Sequence, residues 1–423
     1  MAVAGRAGWI ALVAAWLASC GGQETTLIQA TAHGDAAKAA AAIDDGADPD
    51  GRDPQSGWTA LMLATSLGDR PAVERLLDAG ADPDIDTGKP GTAPLLIAVD
   101  REQWELARLL VDRGASPSAA FKDGTTALHL AAAAGRLDLA GELLAKGAPV
   151  DAKRTKNLST PLLMALGAKQ ADAAILLLEH GADPNVPAGD GQPPLFVAMR
   201  VKDRNDLLPA MLRRDAAIGV RDAEGNTPLT RAVASGNAEA ADALIAAGAD
   251  PDEARRDGAT PLMVAAAARK PKLVRLLCER GAKPNLADIN GATALIVAAQ
   301  AADASSTRSL IRCGGRADVA AIDGSTPLLA AVRAGSVQTV TVLLEEGAPR
   351  SAEAERLAAG QGPPEVLTAL RTVRSRAEVQ REKDERKARE KAEKERQKTE
   401  KERSRAERER AKAVSAGSGE DQS

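Results

Sequence analysis

The chain has 423 residues, of which 44% are hydrophobic and 1% aromatic, with no Tyr, two Phe and four Trp. Such a composition buries apolar area in thin layers of Ala and Leu, which suits stacked helices and argues against a thick sandwich or a barrel built around aromatic residues. With no Tyr and only His33, His129 and His180, acid/base chemistry would fall to carboxylates or Lys, and platforms for stacking nucleotides are nearly excluded. The formal charge of −4 is a cancellation: residues 371–413 hold 18 basic and 11 acidic side chains, leaving 37 basic against 48 acidic elsewhere.

The first element reads as a leader over residues 1–19. Met1 to Ala7 carries one cation, Arg6, and Gly8 to Leu17 is an uncharged apolar run. About ten apolar residues are too few to span a bilayer, which needs about 20, but they fit a secretory signal. The run ends at Leu17-Ala18-Ser19-Cys20, which resembles a bacterial lipobox. That resemblance implies cleavage between Ser19 and Cys20 and lipid attachment at Cys20. It also implies a mature protein facing the periplasm, anchored without spanning. Gly21, where an Asp would retain the protein in the inner membrane, favours the outer membrane.

From residue 24 to about 350 the chain repeats itself. A Thr-Pro-Leu or Thr-Ala-Leu signature recurs with its Leu at 27, 61, 95, 128, 162, 195, 229, 262, 295 and 328, intervals of 33 or 34 residues. Periods of this length mark stacked supersecondary units. Thr59, Thr126, Thr160, Thr227, Thr260 and Thr326 are helix N-cap candidates, and Pro161, Pro228, Pro261 and Pro327 follow at the first helical position. A second helix starts after corners such as Gly68-Asp69 and Gly236-Asn237 and buries pairs such as Leu76-Leu77 and Leu343-Leu344. It stops at Gly80, Gly147, Gly281 or Gly347, which suit the left-handed position just past a helix. The carboxylates Asp48, Asp82, Asp183 and Asp250 recur before Pro once per unit, a pattern of turn capping rather than of acid/base pairs.

These units resemble ankyrin repeats. Asp123 to Ala132 followed by Gly135-Arg136-Leu137 and the run Leu176 to Asn185 stand nearest to the family pattern. The resemblance implies an all-α repeat solenoid of about ten β-turn/helix/helix units over residues 20–370, with terminal caps. The unit at Thr26-Leu27 lacks the Pro and reads as an N-terminal cap, and Glu353 to Ala369 as a C-terminal one. Thr87 to Pro94 suggests a lengthened finger. Pro209 falls inside a second helix, where a Pro costs about 3 kcal/mol, so an irregular helix is expected there. In this family context His129 and His180 read as structural.

Cys278 and Cys313 are the thiols left if Cys20 is lipidated, in a compartment where bridging is conceivable. Helix pairs of adjacent repeats lie about 8 to 10 Å apart, whereas a disulfide tolerates a Cα separation of about 7 Å, so two separate packing residues are expected. Past residue 371 the composition changes. Between 381 and 412, 25 of 32 residues are charged, Pro and Gly are absent and Ala is the only apolar type. With nothing to bury at a coiled-coil seam, residues 371–413 are expected to form a solvated charged helix and 414–423 to be disordered.

There is no Gly-rich Lys-Ser/Thr phosphate loop, His-Glu-x-x-His, Cys-x-x-Cys or Gly-x-Ser-x-Gly. A non-enzymatic protein is expected, without cofactor, metal, small-molecule substrate or nucleic-acid partner. The resemblance implies protein binding by finger tips and the concave first-helix face. On the fingers, Arg52, Phe121, Lys122, Arg154, Lys156, Arg221, Arg255, Arg256 and Ile289 form a mixed, notably basic set that would suit an acidic partner. The alternative is an envelope tether, in which the charged tail bridges the membrane to another layer.

Overall fold

The computed structural model describes residues 23–88, 92–201, 204 and 206–417. Its described residues form helices in pairs. The early pairs are α1 (Gln23–Ala32) with α2 (Ala36–Asp44), α3 (Ala60–Leu67) with α4 (Arg70–Asp78), and α5 (Pro94–Asp100) with α6 (Trp104–Asp112). Next come α7 (Ala127–Ala133) with α8 (Leu137–Ala145), α9 (Pro161–Gly167) with α10 (Ala171–Glu179), and α11 (Pro194–Ala198) with α12 (Leu207–Leu212). The later pairs are α13 (Pro228–Ser235) with α14 (Ala238–Ala246), α15 (Pro261–Ala267) with α16 (Pro271–Glu279), α17 (Ala294–Gln300) with α18 (Ala304–Arg312), and α19 (Pro327–Arg333) with α20 (Val337–Glu345). The chain ends with α21 (Ala352–Gln361), α22 (Pro364–Thr372) and the long α23 (Arg376–Gly417). Among the described residues no strand forms. Extended pairing is confined to isolated bridges at finger bases, such as Arg52 with Thr59 and Ala287 with Thr293.

Local chemistry accounts for these boundaries. Thr59, Thr160, Thr260 and Thr326 accept from the N–H three residues on, at 3.3 to 3.4 Å, satisfying a donor that the first turn leaves orphaned. Second helices end on left-handed glycines, with φ of 88° at Gly80, Gly147 and Gly347 and 90° at Gly281. The corner between paired helices also needs positive φ. Where it lacks Gly, Glu102, Lys169, Arg269 and Ala302 adopt φ of 54 to 61° themselves.

The chain divides into two compact units, Met1–Ala232 with Glu239–Ala249 and Val233–Ala238 with Asp250–Ser423. In the first, first helices stack in the order α1, α3, α5, α7, α9, α11, and second helices in the order α6, α8, α10, α12. In the second, α15, α17, α19 and α21 form one layer and α16, α18, α20 and α22 the other, so the terminal pair continues both layers without a finger. Each layer buries the expected side chains. Leu61, Leu128, Leu162, Leu262 and Leu328 are at most 1% exposed, and Ala64, Ala98, Ala131 and Ala165 are fully buried beside their neighbouring helices. The helix holding Pro209 is indeed short, six residues, with its partner α11 reduced to five.

Three expectations change. Cys278 and Cys313 are joined by a disulfide, with a Cα separation of 6.0 Å. The distance between helix axes misjudged this pair because Cys313 is the C-cap residue of α18, where the chain leaves the helix, rather than a residue on its body. The tail helix does not start at residue 371. α22 ends at Thr372, Val373 turns extended, and α23 begins at Arg376, capped by Ser375, whose Oγ accepts from the Glu378 N–H at 3.2 Å. The tail helix also runs past 413 to Gly417, so residues 414–417 are helical and the remainder of the stretch expected to be disordered, 418–423, lies outside the described residues. The leader, Ser19 and Cys20 also lie outside the described residues. Among those described, no helix is long and apolar enough to cross a membrane.

Candidate partner-binding surface

Two ladders hold the fingers in place. The first Asp of each Asp-Pro-Asp/Asn step closes its own turn: Asp48, Asp82, Asp183 and Asp250 accept from the N–H two residues on, at 2.8 to 3.0 Å. The acceptor two residues later reaches the next repeat. Asp50 accepts from Asp82 N–H, Asp84 from Ser116, Asn185 from Ala217, Asp252 from Lys283 and Asn285 from Arg316, at 2.7 to 2.8 Å. Sequence reasoning missed this second set, although an acceptor recurring at the repeat period two residues beyond each capping Asp was there to be read. Neighbouring tips are also joined through the backbone, by Thr155 N–H to Asp123 C=O and by Ile322 N–H to Asn290 C=O. The approach is close enough to require Gly124, where a Cβ would sit 2.7 Å from the Lys153 carbonyl oxygen.

The buried His129 ties one repeat to the next. Its Nδ1 accepts from the Thr126 N–H at 3.1 Å, which leaves Nε2 to donate to the Ser159 carbonyl at 3.0 Å. Burial pushes its pKa below the ordinary imidazole value, and the positive Arg154 adds to the effect. His129 is therefore a neutral structural brace. His180 lies exposed at the end of α10, with Nδ1 bonded to the Leu176 carbonyl at 2.9 Å.

The nine finger candidates sort into bound and free. Arg154 is half-buried, pairs with Asp123 of the preceding finger at 2.7 Å and lies against the Met164 sulfur of α9. That guanidinium holds the Asp123 carboxyl well below the usual carboxylate range. Arg255 pairs with Asp257, Arg52 donates to the Asp86 carbonyl and Arg221 to the Gly225 carbonyl, so these three also brace their fingers. Phe121 is half-buried in a turn closed by its own N–H on the Thr125 carbonyl. Lys122 and Lys156 stand exposed on neighbouring fingers of the first unit, and Arg256 and Ile289 on neighbouring fingers of the second. Ile289 is 66% exposed, and the next tip carries Ile322 at 80%, which sequence reasoning did not single out. Behind the tips, the outward position of the first helices is apolar in Leu130, Met164, Val197, Val264 and Val297, all half-buried. Arg231 breaks the pattern and is neutralised by Asp222 and Glu224.

The second helices differ between units. In the first unit arginines on these helices or at their ends pair across repeats: Arg113 with Asp78 at 2.7 Å, Arg108 with Glu142, and Arg204, just ahead of α12, with Asp172 at 2.7 Å. Arg136 pairs with Glu105 and lies 5.9 Å from the centre of the Trp104 ring. In the second unit the disulfide joins α16 to α18.

The model for ankyrin repeats in tandem matches residues 3–87, 27–120, 95–188, 195–288 and 283–353. The chain is 33% identical over 165 residues to the human palmitoyltransferase ZDHHC13, a match taking in 31% of this chain and 26% of that protein. It is 41% identical over 87 residues to a putative ankyrin repeat-containing protein of Treponema pallidum, covering 20% of this chain and 29% of the relative. With the ankyrin repeat and KH domain-containing protein mask-1 of Caenorhabditis elegans it shares 35% identity over 128 residues, 30% of this chain and 5% of that protein. The matched stretches thus span less than a third of each of these relatives. The repeat spacing, the helix pairs, the capping chemistry and the family match over most of the chain together make it a member of the ankyrin-repeat family, a protein-protein interaction module.

Proposed function

We propose that this protein is a lipid-anchored interaction module of the bacterial cell envelope, facing the periplasm and holding a protein partner against its repeats. The disulfide between Cys278 and Cys313 is the observation that supports this most strongly. Disulfides persist in oxidising compartments, and an apolar leader ending in Leu17-Ala18-Ser19-Cys20 directs a chain to one. The exposed tips Lys122, Lys156, Arg256 and Ile289 and the apolar first-helix positions behind them offer the partner contacts. Feeding the bacterial host a clickable fatty acid tests the anchor. The wild-type protein should be labelled and Cys20→Ala should not, and a labelled Cys20→Ala variant would overturn it. In-cell crosslinking followed by mass spectrometry identifies the partner, and a solenoid that crosslinks to no protein would count against the module reading.

A second reading, the envelope tether, is favoured by α23. Its 42 residues would extend roughly 63 Å at about 1.5 Å per residue. Its base is fixed, with Arg376 paired to Glu346 at 2.9 Å and Arg350 donating to the Leu370 and Val373 carbonyls. Deletion of residues 376–423 separates the readings. Partner binding that persists supports the module, and loss of attachment to a second layer supports the tether.

A further inference from the structure

The disulfide lies in a groove between α16 and α18 of about 440 Å³, walled by Pro271, Arg275 and Glu279 on one side and Ser305, Arg308, Ser309 and Arg312 on the other. Residues four apart share a helix face, so Pro271, Arg275 and Glu279 line one wall by their spacing, as do Arg308 and Arg312 on the other. Three guanidiniums therefore face one trough against a single carboxylate.

They are poorly compensated. Arg308 reaches Glu345 only at 4.0 Å, and its Nε is buried without a hydrogen-bond partner. Arg275 and Arg312 are exposed and pair with no carboxylate among the described residues. Like charges along one groove repel, so the fold gains nothing by holding them there. The contrast lies in the first unit, where Arg108 on a second helix, Arg113 at the C-cap of another and Arg204 just ahead of a third each meet a carboxylate of the adjoining repeat. The repeats as a whole are acidic, which makes an unneutralised basic trough stand out further.

We infer that this groove docks an acidic segment of a protein partner, with carboxylates seated on Arg275, Arg308 and Arg312. The inference rests on the interaction-module reading and moves the acidic contact from the fingers, whose arginines are mostly spent on internal bonds, to the second-helix face. Guanidinium forks match carboxylates two bonds at a time. Arg308 and Arg312 lie one turn apart, about 6 Å along the axis. Alternate side chains of an extended segment are spaced about 6.6 Å apart, so successive acidic residues on one edge can follow the row. Glu279 repels a carboxylate set beside it and fixes the register in which the segment lies.

The test uses the full-length protein and a fluorescent poly-glutamate peptide, read by anisotropy. Wild type should bind with an affinity that falls as salt rises. Arg275→Glu with Arg312→Glu should bind at least tenfold more weakly, and Lys38→Glu with Lys146→Glu, exposed positions outside both the groove and the finger tips, should bind as wild type does. Arg275→Gln with Arg312→Gln, which keeps the hydrogen-bonding stems, should weaken binding in the same direction if the reversal perturbs folding. Undiminished binding by both groove variants, or no peptide binding by wild type, would overturn the inference. So would groove-dependent binding to anionic phospholipid vesicles without binding to the peptide. Lys122→Glu, Lys156→Glu and Arg256→Glu together, examined in the crosslinking assay, judge the module reading separately from the groove.

Discussion

The second helices of the two units solve one problem with different chemistry. In the first unit Arg113, at the C-cap of α6, pairs with Asp78 at the end of the preceding second helix, 35 residues earlier. In the second, Cys313 occupies the same C-cap position of α18 and bonds covalently to Cys278, again 35 residues earlier. The ion pair is solvent-exposed, so salt screens it and its contribution is small. The disulfide removes loop entropy from the unfolded chain and ignores salt, but yields to reductant. Bracing by charge uses up arginines, whereas bracing by sulfur leaves Arg275 and Arg312 exposed, with no paired carboxylate among the described residues.

Breaking the covalent brace should have the largest effect. Cys278→Ser with Cys313→Ser closes no loop of 35 residues, and the lost constraint is worth about 3 to 4 kcal/mol. Hydrogen exchange in α16 and α18, with and without reductant, reads it: wild type should lose protection on reduction and the double variant should be indifferent. Arg113→Ala should by contrast give a small loss that vanishes in high salt. Equal effects at the two sites would remove the distinction between the units.

Next in size is His129→Ala, which strands the buried Thr126 N–H, removes one of the two donors on the Ser159 carbonyl and leaves a cavity. A loss of about 2 to 4 kcal/mol is expected, seen as a lower denaturant midpoint for the first unit. The same residue sets a pH dependence. Its folded pKa is lowered, so protonation favours the unfolded chain. Stability is full above the unfolded value of about 6.5 and declines as pH falls from there toward the folded pKa. His129→Gln should flatten the profile in that window. Asp123 acts lower down, because the neighbouring Arg154 depresses its pKa from the ordinary 3.8, and its contribution is lost only as pH falls below that value. Wild-type midpoints measured across this range should show both windows, and the disulfide of the second unit should contribute to neither.

The smallest effect is expected at the helix corners, and it should be alike in both units. Lys169 in the first and Arg269 in the second hold φ of 61° and 54°. Left-handed backbone costs a non-Gly residue about 1 to 2 kcal/mol, while Gly costs about 0.5 to 1 kcal/mol in unfolded-chain entropy. Lys169→Gly and Arg269→Gly should each gain up to about 1 kcal/mol in thermal unfolding.

The repeat frame was legible because it is written in local chemistry. A Thr three residues before its N–H partner, a Pro that needs no partner and a Gly past the last turn each act within a few residues. Contacts that cross repeats were legible in kind but not in pairing. Arg154 looked like a free tip because its partner, Asp123, sits 31 residues earlier on a finger that only the stacking brings near. The disulfide was missed for the same reason in reverse: the stacking distance was known, but not that a C-cap residue departs from the helix axis far enough to close it. The break at Val373 to Ser375 is set by Ser375 capping α23, a signal the uniform charge of the tail obscured.

The most direct measurement is non-reducing peptide mapping of the protein isolated from its bacterial host under alkylation. A linked peptide joining Cys278 and Cys313 is expected, released only by reductant, with neither thiol alkylated beforehand. Two freely alkylated cysteines would contradict both the covalent brace and the oxidising compartment it supports.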